Sequence, residues 1–246
     1  MAYLQIDYPS AALRMTTGIR VTLPDEGELS KVNVIYLLHG LTDNCSGWSR
    51  YTSCERYARE RTAALVMPEV QRGFYMDGVY GPDYFTYVSQ ELPQAMHRMF
   101  GLSLKKEQNY IMGLSMGGYG ALKCALCFPR NYAGAAAFSA VCDPQQFFDD
   151  MGREAMAGEV PALVGTDGRV KEKDDLFCLL KKSENLPPIY MSCGEQDSLY
   201  PMNRKFQQAL DEKKTVHHFD HRDGDHTWDF WDRSLQDAFS YFFDLK

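Results

Sequence analysis

No stretch of the 246-residue sequence comes near the roughly 20 consecutive apolar residues that a membrane-spanning helix needs. A basic stripe is equally missing. The 26 Lys and Arg are scattered among 33 Asp and Glu, for a formal net charge of −7, and leave no electrostatic footprint for nucleic acid. A neutral small molecule is the expected partner. Residues 1–10 carry Asp7 and Pro9 and lack both the charged start and the apolar core of an export signal, so a cytoplasmic location is expected. Internal repeats and low-complexity linkers are also absent, and 45% hydrophobic content is ample for one sizeable core. One domain over 1–246 is therefore expected. The seven cysteines are odd in number and sit mostly in apolar segments, which fits free thiols in a reducing compartment better than a disulfide framework. Cys124 and Cys127 have Cys-x-x-Cys spacing, but they fall inside a predicted helix with no second ligand pair at metal spacing, so they read as core residues and no metal is expected.

What the chain does have is a regular alternation of strand and helix patterns. Residues 3–8 and 13–23 alternate polar and apolar around Pro9-Ser10 and predict two edge strands in a hairpin, exposed enough to leave subunit pairing open. Nearly unbroken apolar runs at 31–39, 63–68, 109–114, 133–140 and 189–193 predict buried parallel strands, with a last strand at 216–220. Helices are predicted at 53–61, 82–100, 118–128, 201–213 and 228–243; in the second, Phe85, Val88, Leu92, Met96 and Met99 recur at three- and four-residue steps. Glycine- and charge-rich residues 143–184 interrupt the rhythm with two short helical patches, 144–151 and 174–180, and read as a cap folded over one end of the sheet. The expected architecture is an α/β fold with a mostly parallel central sheet and helices on both faces.

The chemistry centres on Gly113-Leu-Ser-Met-Gly117, where an apolar run leads into a serine and a small-residue segment leads out. A strand, a sharp turn and a helix would hold Ser115 in a cramped conformation with its hydroxyl aimed over the sheet edge. A serine hydroxyl is a weak nucleophile near neutral pH; it needs a base, and the base needs a carboxylate to fix its tautomer. In a parallel sheet such groups collect at the carboxyl ends of strands. Asp197 follows one strand in Gly194-Glu-Gln-Asp197, and His226 follows the last in Gly224-Asp-His-Thr227, giving the order Ser115, Asp197, His226. Rivals are His217, His218 and His221 for the base, or, with Asp220 and Asp223, a metal cluster; adjacent strand residues point to opposite faces and converge poorly. Asp143, Glu195 and Asp225 compete for the role of acid. An oxyanion needs backbone donors, and the N–H groups of Met116 and of Leu41, in the loop His39-Gly-Leu-Thr-Asp43, are the candidates. His39 itself reads as a structural histidine bonded to its loop. Trp48, Tyr80 and Trp228 are candidate pocket residues.

Together, His39-Gly-Leu-Thr-Asp43 with Trp48, Gly113–Gly117, Gly194–Asp197 and His226-Thr-Trp228 with Phe230-Trp-Asp232 resemble the esterase D-like branch of the α/β-hydrolases, closest to bacterial tributyrin esterases. The resemblance covers essentially the whole chain. It implies an intracellular, cofactor-free serine carboxylesterase of short-chain acyl esters with Ser115, Asp197 and His226 as triad. Feruloyl and acetyl-xylan esterases are also similar. S-formylglutathione hydrolases look longer and carry a cysteine just after the His-Gly-Leu-Thr turn, where Asp43 and Asn44 stand here with Cys45 following.

Overall fold

The computed structural model describes residues 1–150 and 156–244. Residues 151–155 of the expected cap, including the end of its first helical patch, and residues 245–246 of the expected domain lie outside the described residues. Among the described residues the strands form one eight-stranded sheet in the order β1-β2-β4-β3-β5-β6-β7-β8. These are β1 (Ala2–Ser10), β2 (Met15–Leu23), β3 (Asn33–Leu38), β4 (Ala63–Pro68), β5 (Asn109–Leu114), β6 (Gly134–Phe138), β7 (Ile189–Gly194) and β8 (His217–Arg222). From β4 to β8 every pairing is parallel.

The N-terminal hairpin forms, but β2 is not the edge strand expected. It pairs antiparallel with β1 on one side and β4 on the other, because Ile19 and Val21 are fully buried while β1 alternates towards solvent. The central strands are buried throughout, which is why they read as continuous apolar runs. Alternation then sorts their side chains. Ile35, Leu37, Leu65 and Met67 face the helix Trp228–Phe243, while Val34, Tyr36, Ala64 and Val66 face the opposite layer, which includes the helix Met116–Cys127.

The helix expected over 82–100 is there but contains a π-turn, Tyr87–Glu91, between Tyr84–Thr86 and Leu92–Phe100. Pro93 has no N–H for the preceding turn, and the wider turn absorbs the gap. Beyond β6 the inserted segment folds as helices Pro144–Asp150, Glu159–Val164 and Leu176–Lys182, the middle one unforeseen. Asp175 caps the last by accepting from the N–H groups of Phe177 and Cys178. Phe147 and Phe148 pack on Phe74 at ring separations of 5.6 and 4.9 Å. Among the described residues no helix is long and apolar enough to cross a membrane.

A buried ion pair ties this segment to the helix beneath. Lys123 Nζ lies 2.5 Å from Asp174 Oδ1, donates to Tyr75 O at 3.0 Å and sits 4.1 Å from the Phe85 ring centroid. Both side chains are at most 5% exposed. Removing one partner strands the other charge, so Asp174→Asn or Lys123→Met is expected to lower the unfolding free energy by about 3–5 kcal/mol. The double variant Lys123→Met/Asp174→Leu is expected to regain part of that loss, as read from urea midpoints.

Candidate active site

Leu114 ends the wholly buried run of β5, and Ser115 follows at φ 53°, ψ −117°, a conformation costing of order 1–3 kcal/mol for a non-glycine residue. Its N–H donates to Phe138 O at 2.8 Å, and its carbonyl accepts from Val141 N–H and Tyr119 N–H, so the end of β6, the segment after it and the new helix lock the turn. No side chain fits at position 117: a Cβ there would run into the carbonyls of Leu38 and His39. That closeness puts the 39–43 loop beside the serine; a Cβ on Gly40 would lie 3.6 Å from Ser115 Cβ.

Asp197 and His226 arrive on two loops stitched together. Glu195 N–H donates to Arg222 O, Gln196 N–H to Gly224 O, and Gly224 N–H to Gln196 Oε1 at 2.9, 3.0 and 2.7 Å. Gly224 takes φ 152°, which few other residues would tolerate. The result is a continuous line: Asp197 Oδ2 lies 2.8 Å from His226 Nδ1, and His226 Nε2 lies 3.1 Å from Ser115 Oγ. A carboxylate accepting from Nδ1–H leaves Nε2 unprotonated and facing the hydroxyl. The carboxylate is fully buried while the imidazole is one-third exposed. Burial pushes the Asp197 carboxyl up, but bonds from His226, Ser139 and the Leu199 N–H outweigh it, and the net direction is down. His226 is braced edge-on by Trp231 at 4.8 Å and 89°, and Trp231 Nε1 donates to Ser139 Oγ.

Among the described residues the backbone N–H groups of Leu41 and Met116 donate to no other group, Met116 because it opens a helix. His39 is buried: Val70 N–H donates to its Nε2 at 3.1 Å, so Nδ1 carries the proton and donates to Gly40 O at 2.8 Å. Tyr75 Oη donates to His39 O at 3.0 Å.

A cavity of about 540 Å³ opens over the serine, lined by Leu41, Leu114, Phe147, Leu199, Trp228 and Trp231, with Thr42, Asp43, Ser198, Thr227 and His226 as its polar groups. Burial pushes the Asp43 carboxyl up, opposed by His39, the Gly40 backbone and His226. Two expected pocket residues need correcting. Trp48 is 1% exposed and lies in the core behind Trp228, its Nε1 donating to Leu38 O. Tyr80 is 70% exposed, and its loop turns away to bond Ala162 O. Phe147 was missed, since nothing in a charge-rich insertion says which aromatic faces the serine.

The rivals are placed elsewhere. His218 is sandwiched between Tyr190 and Tyr241, His217 bonds Thr215 O, and His221 bonds Glu195. Asp143 accepts from Gln146 N–H and pairs with Lys205; Asp225 accepts from His226 N–H. Among the described residues no three His, Cys, Asp or Glu side chains are grouped to hold a metal ion.

Strand order, strained serine and facing imidazole define an α/β-hydrolase-fold serine ester hydrolase. Residues 10–242 match the family described as "Putative esterase", and the chain belongs to it. It is 28% identical to an acetyl esterase of Caldicellulosiruptor saccharolyticus, over 98% of both chains. Among solved structures it is similar to the fluorophosphonate-binding serine hydrolase F of Staphylococcus aureus, at 32% identity and TM-score 0.91. An S-formylglutathione hydrolase of the same organism gives 32% and 0.85; both alignments cover 98% of each chain.

The lowered carboxyl of Asp197 makes a prediction about acid stability. A group whose folded pKa is depressed stabilises the fold above its unfolded value, near pH 4, and that contribution is lost as pH falls through the folded value. Asp197→Asn is therefore expected to be less stable than wild type at pH 7 and to show a flatter acid limb below about pH 4 in denaturant titrations at stepped pH.

Proposed function

We propose that the chain is a serine carboxylesterase of short-chain acyl esters, with Ser115 as nucleophile, His226 as general base and acid, and Asp197 as orienting carboxylate. The observation that carries this is the unbroken contact line from Asp197 through His226 to Ser115 on the floor of an apolar cavity. His226 Nε2 takes the Ser115 proton as Oγ attacks the acyl carbonyl. The oxyanion is held by the Leu41 and Met116 N–H groups, and the proton passes from Nε2 to the departing alcohol. Water, deprotonated by the same nitrogen, then attacks the acyl-serine and releases the acid. No step calls on a cofactor. The modest cavity and its aromatic wall favour acyl groups of a few carbons, in keeping with the acetyl esterase relative.

A second reading, hydrolysis of a glutathione thioester, uses the same residues and is supported by the S-formylglutathione hydrolase at 32% identity. A panel of acetyl, butyryl and feruloyl esters beside S-formylglutathione separates the two. On p-nitrophenyl butyrate, Ser115→Ala is expected to lower kcat at least about 10⁴-fold and to abolish labelling by a fluorophosphonate probe, and Asp197→Asn to lower kcat about 10³- to 10⁴-fold. Near-normal turnover by Ser115→Ala would overturn the assignment.

A further inference from the structure

Among the described residues, the cavity over Ser115 is lined by a single carboxylate, Asp43, and by no lysine or arginine. The carboxylate is placed by its own loop. Asp43 N–H donates to Gly40 O at 3.2 Å, and Asp43 Oδ2 sits over Gly40, 3.1 Å from where a Cβ at that position would lie. The side chain is neither on the surface nor sealed in the core. Among the described residues it forms no ion pair, and the titratable groups that bear on it are the imidazoles of His39 and His226. Leu41, Thr42, Leu114, Trp228 and His226 line the cavity with it.

From this geometry we infer that Asp43 sets the charge preference of the site, admitting neutral and cationic alcohol or thiol groups and discriminating against anionic ones. The inference rests on the esterase reading above and narrows its substrate class. The departing alcohol must reach His226 Nε2 to collect its proton, and Asp43 lies close enough to His226 for the two charges to interact. The leaving group is therefore the part of the substrate most exposed to the carboxylate. In a partly enclosed cavity, two unit charges a few ångströms apart interact strongly enough for about tenfold discrimination or more. An aromatic wall beside a carboxylate also suits a quaternary or primary ammonium, since Trp228 and Trp231 line the same cavity.

The test compares substrates of matched shape and different charge. Butyrylcholine and 3,3-dimethylbutyl butyrate differ by one positive charge, and S-acetylglutathione and its dimethyl ester by two carboxylates. For wild type, kcat/KM should favour the more positive member of each pair, and the preference should shrink as salt is raised from about 0.05 to 0.5 M. Asp43→Asn is expected to reduce both preferences about tenfold, while Asp43→Glu keeps most of them. Ratios within twofold of wild type for Asp43→Asn, or a wild-type preference insensitive to salt, would overturn the inference. Ser115→Ala is run alongside: its loss of turnover on every substrate is what the esterase reading requires, and retained turnover would sink that reading whatever the Asp43 ratios show.

Discussion

Ser115 is held at φ 53°, ψ −117° because the helix Met116–Cys127 has to start directly beneath the end of β5, and such a start is possible only where positions 113 and 117 carry no side chain. The strain is not a local accident that the chain could relax. Relaxing it would break the hydrogen bonds Ser115 makes with β6 through Phe138 and with Val141, and would lift the helix off β3. The cost is met by burial: of the helix's residues, those from Met116 to Leu126 are all buried, which is worth tens of kcal/mol gross against a strain of 1–3. The same approach of helix to β3 puts the His39–Asp43 loop against the serine, so Ser115 and the N–H groups of Leu41 and Met116 are positioned by one packing event.

That loop is secured from the far side as well. Tyr75 bonds the His39 carbonyl, Lys123 bonds the Tyr75 carbonyl, and Asp174 neutralises Lys123. The chain of contacts runs from the inserted segment to the peptide next to Gly40. An apolar pair could fill the same volume at less desolvation cost. What the ionic arrangement adds is direction, because an ammonium with two oxygen partners and a ring face beneath it has little freedom to move. The insertion is thus bound to the site at two points, through Asp174 and through Phe147 in the cavity wall.

Much of this was visible in the order of residues. Buried parallel strands betray themselves by unbroken apolar runs, and the helix over 228–243 lies where its pattern put it. Ser115, Asp197 and His226 could be picked out because each follows a strand, and backbone topology alone brings strand ends together. Side-chain direction was harder. Trp48, on the short helix Gly47–Tyr51, and Tyr80, in a loop, both come in segments that follow strands, yet one turns inward to bond Leu38 O and the other outward to solvent. Sequence position fixes where a loop is, not which way its rings point. Asp174 was hidden for a related reason: in a charge-rich stretch nothing marks the one carboxylate whose partner is buried 51 residues earlier on another helix. The π-turn was concealed in an intact helical period, which Pro93 disturbs by one residue without shifting the apolar face.

The misplaced tryptophan still matters to the site. Trp48 is anchored by its N–H to Leu38 O and meets Trp228 edge-on at 5.5 Å; Trp228 meets Trp231 at 5.3 Å, and Trp231 meets the His226 ring at 4.8 Å. Three indoles therefore form a pile that starts at the end of β3 and ends against the imidazole. Two of them are pinned by hydrogen bonds at Leu38 O and Ser139 Oγ, which leaves little room for the stack to slide. A histidine on a glycine-hinged loop would otherwise be free to swing towards solvent, since a third of it is exposed. The Asp197 carboxylate at Nδ1 and the Trp231 indole edge-on to the ring restrain that swing. Orientation of the His226 imidazole is thus settled by the fold itself, and no binding energy need be spent on it.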